Sequence, residues 1–105
     1  MAKYVMVVQS KAMPGKDDEY NAWYDTTHAK EICALPGVKS CRRFDFAMSL
    51  AGGDGQPYLA IYEVETDDLM DTVGAMGQRV EAGEMSQTDS LDAPASVLWF
   101  YKERD

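Results

Sequence analysis

The chain is short of positive charge. Ten Lys and Arg face eighteen Asp and Glu, leaving a net charge of −8. Nucleic acids and anionic membrane surfaces need a basic face to neutralise phosphate, so this balance argues against both as partners. The one basic cluster, Lys39 with Arg42 and Arg43, suits a solvated strand edge or a small anionic ligand better than a duplex. Long apolar runs are also missing. No stretch approaches the ~20 residues that span a bilayer, and the start of the chain is too short and interrupted for a signal peptide. A cytoplasmic location is therefore expected. The two cysteines, Cys33 and Cys41, read as buried thiols in that setting, not as a disulfide. Together with the single histidine they form a poor ligand set, so neither a metal nor a cofactor is expected. There is no Gly-x-Ser-x-Gly elbow and no phosphate-binding loop, since Gly52-Gly53-Asp54-Gly55 falls in a hairpin loop.

What is present is concentrated between Glu19 and Val38. Tyr20, Tyr24 and His28 recur four residues apart and share one face of a helix expected from about Asp17 to Ala34. Trp23 and Thr27 lie on the adjoining stripe. Asp17 or Asp18 is placed to cap the helix, and Leu35-Pro36-Gly37 to end it. A β-branched strand, Tyr4 to Gln9, precedes it. After it, Val38 to Phe46 alternates, with Val38, Ser40, Arg42, Phe44 and Phe46 expected on one face. Tyr58 to Val64 reads as a strand that is apolar on both sides. Thr66 or Asp67 then caps a helix with a buried stripe of Leu69, Met70, Val73, Met76, Gly77 and Val80. A polar loop from Glu81 to Ala93 leads to a last strand, Ser96 to Tyr101.

The chain of 105 residues is thus one domain, residues 1–105, of the α+β class. Its order is the ferredoxin-like βαββαβ: an antiparallel four-stranded sheet with two helices on one face. Two helices cover only one side of such a sheet. Large apolar side chains on both sides of the strands leave the other side to be buried, and a two-fold homodimer through the sheets is the simplest way to do so.

Met13-Pro14-Gly15-Lys16-Asp17-Asp18-Glu19-Tyr20, the Trp23-Tyr24-x-x-x-His28 spacing, Leu35-Pro36-Gly37-Val38 and Arg42-Arg43-Phe44 resemble the dimeric α/β barrel superfamily. Within it the likeness is to EthD-like and related small bacterial proteins. The resemblance implies two sheets packed face to face as a barrel, with a small-molecule pocket in each protomer between sheet and helices. It does not fix the activity, because the superfamily includes isomerases, cyclases, cofactor-free monooxygenases, haem-dependent members and proteins of no assigned activity.

His28 is the acid–base candidate, with an unperturbed pKa near neutrality; the competing reading is a structural histidine bonded to the following loop. Tyr24, one turn earlier, would share a substrate oxygen with the imidazole or polarise it. Tyr20, Trp23, Arg42, Phe44, Tyr62 and Trp99 are candidate substrate-binding residues, with ordinary packing or an edge ion pair as the alternative for each. Three functions follow. The first is a cofactor-independent acid–base enzyme, a lyase, isomerase or cyclase acting on a small aromatic or polyketide-like carbonyl compound. The second is a cofactor-free monooxygenase of phenolic substrates. The third is a non-catalytic ligand-binding or structural dimeric module.

Overall fold

Residues Ala2–Ser10 alternate apolar side chains between two faces and form strand β1. The other strands are β2 (Val38–Asp45), β3 (Tyr58–Thr66) and β4 (Val97–Lys102). In the computed structural model, which describes residues 1–105, they form one sheet in the order β2-β3-β1-β4, antiparallel throughout. The first helix occupies residues 17–33 in three segments: α1 (Asp17–Trp23), a π turn (Tyr24–His28) and α2 (Ala29–Cys33). The second helix is α3 (Leu69–Glu81). The architecture is the expected ferredoxin-like α+β fold. Met6, Ala60, Tyr62 and Val64 of the sheet form the core with Tyr20, Tyr24 and Ile32 of the first helix, and Leu69 and Met76 of α3 pack against it.

Both helices start differently from expectation. Lys16 holds the cap position of α1 without a side-chain hydrogen bond, so Asp17, Asp18 and Glu19 act on the helix dipole from inside the first turn. At α3 the cap is Asp68, whose carboxylate accepts the Met70 N–H at 3.0 Å. Thr66 instead turns its hydroxyl onto the backbone of Asp68. The stripe of α3 is also rotated. Thr72 is fully buried while Met70 and Val80 are exposed, because the Thr72 hydroxyl donates to Pro36 O at 2.6 Å and holds that face to the turn after the first helix.

That turn depends on Gly37. Its φ of +83° is a conformation only glycine adopts cheaply, and a Cβ there would lie 2.9 Å from Glu65 O. The close approach lets the Glu65 N–H reach Gly37 O at 2.8 Å.

The strand pattern contains one phase error. Val38 pairs with Val64, but Ser40 pairs with Glu63, so Lys39 is an extra residue in β2. This bulge reverses the alternation after Val38. Cys41, Arg43 and Asp45 lie opposite Tyr62, Ala60 and Tyr58 on the helix side. Ser40, Arg42 and Phe44 face the other way, although regular alternation would have kept them with Val38. In β4, Trp99 and Tyr101 pair with Val7 and Val5, also on the far face. They are 46% and 55% exposed, and nothing in the single chain covers them.

Candidate active site

A cavity of about 470 Å³ opens between the first helix, β1, β4 and residues 86–97. Ser10, Tyr20, Trp23, Tyr24, His28 and Ser86 are among its fourteen lining residues, and none of the fourteen is an Asp, Glu, Lys or Arg. The connection after α3 becomes a wall because it is tied down. Ala12 and Leu91 form a short antiparallel bridge, the Met13 N–H donates to Ser90 O at 2.7 Å, and the Asp92 N–H donates to Lys11 O at 2.9 Å. A second hollow of about 410 Å³, at the opposite end of the strands, is lined by mixed charges such as Lys3, Glu65 and Lys102. It gathers no comparable set of aromatic and imidazole groups.

The π turn places the histidine. The Ala29 N–H bonds to Tyr24 O, five residues back, so the turn contains one residue more than an α-helical turn. Thr27 would lie over Trp23 in a regular helix. Here it is His28, stacked on the indole with ring centroids 4.5 Å apart and planes 15° from parallel. Tyr24 meets the imidazole edge-on at 5.0 Å. The expected line of Tyr20, Tyr24 and His28 is therefore present, and the extra residue adds Trp23 to it.

His28 Nδ1 is buried and lies 3.5 Å from Glu31 Oε1, longer than a formed hydrogen bond. Nε2 bonds to no protein group and is not among the buried unpaired atoms, and His28 is one of the residues lining the cavity. Burial lowers the imidazole pKa below its ordinary value, Glu31 opposes that shift, and Arg43 adds to it. Burial works against the Glu31 carboxylate too, but the Ser86 N–H and hydroxyl, and then His28, hold its pKa below the usual range.

Tyr24 is placed differently from expectation. Its hydroxyl lies 2.5 Å from that of Tyr62, and Tyr62 is wholly buried. Burial pushes both phenols well above their ordinary pKa. Tyr24 lines the cavity, and its oxygen is engaged by the buried Tyr62 hydroxyl. Tyr62 is thus backing, not wall.

Tyr20 and Trp23 line the cavity. The Tyr20 hydroxyl donates to Ser10 Oγ at 2.6 Å, and Trp23 Nε1 donates to Ser86 Oγ at 3.0 Å. Arg42, Phe44 and Trp99 do not join them. The bulge at Lys39 and the pairing of β4 turn all three to the far face, where Arg42 lies over the Phe44 ring at 5.1 Å. Arg43 is the arginine on the helix side. It donates to Asp25 at 2.8 Å and to Asn21 at 3.0 Å and covers the Tyr24 ring at 4.2 Å, fastening the helix to β2.

Glu31, Ser86 and Ser10 are the parts of the site not anticipated from the sequence. Glu31 was visible as an acid three residues after His28, a spacing that brings side chains together on a helix. Ser86 carries no such signal, since it reaches the site only through folding of the connection after α3.

No protein-family model and no curated protein matches the sequence. Among solved structures, the fold is similar to that of an ethyl tert-butyl ether D (EthD) family protein of Bacillus halodurans C-125. The TM-score is 0.65 at 16% identity, covering 99% of this chain and 100% of that one. It is equally similar to a protein of Shewanella loihica PV-4 described as a candidate monooxygenase, with a TM-score of 0.65 at 15% identity over 100% of this chain and 98% of that one. At such identities the likeness establishes the fold alone, an α+β ferredoxin-like chain.

Proposed function

We propose that the chain is a cofactor-independent acid–base enzyme, a lyase, isomerase or cyclase, acting on a small uncharged aromatic or polyketide-like carbonyl compound. The observation that carries the reading is the bare Nε2 of His28 at the wall of a cavity lined by aromatic rings and neutral hydroxyls. A depressed pKa keeps this imidazole neutral, and so basic, at neutral pH. His28 takes the acidic proton beside the substrate carbonyl, leaving an enolate and an imidazolium. The imidazolium then returns the proton, to another carbon in an isomerisation or, in an aldol cyclisation, to the alkoxide formed when the enolate carbon bonds to a second carbonyl of the substrate and breaks its C=O π bond.

The enolate oxygen needs a donor. With the Tyr24 hydroxyl engaged in the core, that role passes to Ser10. Its oxygen already accepts from Tyr20, so its own proton is free to point into the cavity. The lack of any lysine or arginine in the wall is the reason for naming an uncharged substrate, since a carboxylate entering there loses water and gains no cation. A homodimer joined through the far faces of the sheets, around Trp99 and Tyr101, is part of the proposal.

The test is turnover of a panel of neutral aryl diketones and phenols by wild type and His28→Ala, with dissolved oxygen recorded. Removal of the base is expected to cost about 10²- to 10⁴-fold in kcat/KM. Equal rates for the two proteins on a genuine substrate refute the mechanism. A second reading, a cofactor-free monooxygenase of phenols, is favoured by the description of the Shewanella loihica neighbour. Oxygen consumed in step with product selects it. Ligand binding without turnover across the panel selects a non-catalytic module.

A further inference from the structure

We propose that Glu31, clamped by Ser86, is the positioning residue that keeps the His28 imidazole protonated on Nδ1 and bare on Nε2. The inference rests on the acid–base role of His28 and identifies what prepares that residue.

Four side chains close a circuit. Glu31 Oε2 accepts the Ser86 N–H at 2.8 Å, and Oε1 accepts the Ser86 hydroxyl at 2.9 Å. Ser86 Oγ accepts the Trp23 indole N–H, and the indole stacks on His28. The circuit returns from His28 Nδ1 to Glu31 Oε1. Each contact removes a freedom of the next group. The indole fixes the plane of the imidazole, and the carboxylate, held by two donors from another part of the chain, fixes which edge faces inward.

A neutral imidazole has one proton to place. Nδ1 is buried, with the carboxylate as its one nearby acceptor, so the proton belongs there and the lone pair of Nε2 faces the cavity. The gap of 3.5 Å is that of a site at rest; charge on the imidazolium draws the two groups together. The charged groups acting on His28 are Glu31 from its own helix and Arg43 from β2. The wall contributed by β1, β4 and residues 86–97 adds no formal charge. Glu31 is therefore the one group that favours the imidazolium. It acts through His28 and does not touch the substrate.

The presence of a single histidine gives a direct readout without any substrate. Nitrogen-15 NMR of the imidazole, titrated from pH 4 to 9, reports both tautomer and pKa. Wild type is expected to show the Nδ1–H form when neutral. Glu31→Ala should shift the neutral ring toward the Nε2–H form and lower the pKa by about one pH unit. Glu31→Gln removes the charge with little change of shape and should lower the pKa similarly. A folded Glu31→Ala protein with unchanged tautomer and pKa overturns the proposal. If that variant does not fold, an unchanged pKa in Glu31→Gln does so. Full activity in His28→Ala would remove the catalytic reading and leave the tautomer result standing, so the two failures are distinguishable.

Discussion

His28 is the residue on which pH should act most visibly. Burial depresses its pKa below the ordinary value near 6.5, so the unfolded chain binds a proton more readily than the folded one. Stability is then fully supported above about pH 6.5 and declines as pH falls from there toward the lowered folded value. Glu31 adds a separate loss at lower pH, because its own pKa is depressed and its contribution disappears as it protonates. Urea midpoints at pH 7.5 and 5.5 should therefore differ more for wild type than for His28→Gln; an identical difference would show that His28 does not report the burial described. The acid limb of kcat/KM should fall below pH 6.5 for the same reason, since only neutral imidazole accepts a proton. Tyr24 and Tyr62 have no part in either profile near neutrality, because burial holds both phenols well above their ordinary pKa.

At the scale of elements, the turn between the first helix and β2 concentrates several constraints. Gly37→Ala should destabilise the protein by about 2 kcal/mol, from a left-handed φ and a Cβ pressed against Glu65 O. A chemical denaturation series checks this; a cost under about 0.5 kcal/mol would mean that the backbone relaxes. The order of elements was legible from the sequence, because each strand and helix carries its own periodicity and the breaks at Met13-Pro14-Gly15 and Leu35-Pro36-Gly37 are chemically marked. The local phase was not. A bulge needs no special residue, and Lys39 gives no sign that it will be skipped in the pairing of β2. Regular alternation puts Arg42 and Phe44 on the same side as Val38, and the bulge gives that side to Arg43 instead. The π turn is equally silent, since Asp25, Thr26 and Thr27 fit an ordinary helix. The residues lining the cavity are half legible. Helical spacing marks Tyr20, Trp23 and His28, while Ser10 and Ser86 come from segments whose approach depends on tertiary structure.

Across the whole molecule, the two sides of the sheet have different chemistry. The helix side encloses the core and the cavity; the far side presents Val5, Val7, Ile61, Trp99 and Tyr101 with no cover from the chain itself. A stable pair needs roughly 800 Å² buried on each partner, and a sheet face of this kind can provide it. Light scattering should find a particle of about twice 11.7 kDa for wild type, whereas Trp99→Glu, which places charge on the far face proposed for the contact, should run as a single chain. A wild-type particle of single-chain mass would rule out the proposed dimer. Residue-by-residue comparison of such chains also meets an obstacle set by the helix. The π turn at Tyr24–His28 accommodates one residue more than an α-helical turn would. A gapless alignment with a regular helix therefore matches one half correctly and sets the other half off by about 100° of rotation. The residue paired with His28 by position in a regular helix then points away from the face that His28 occupies here.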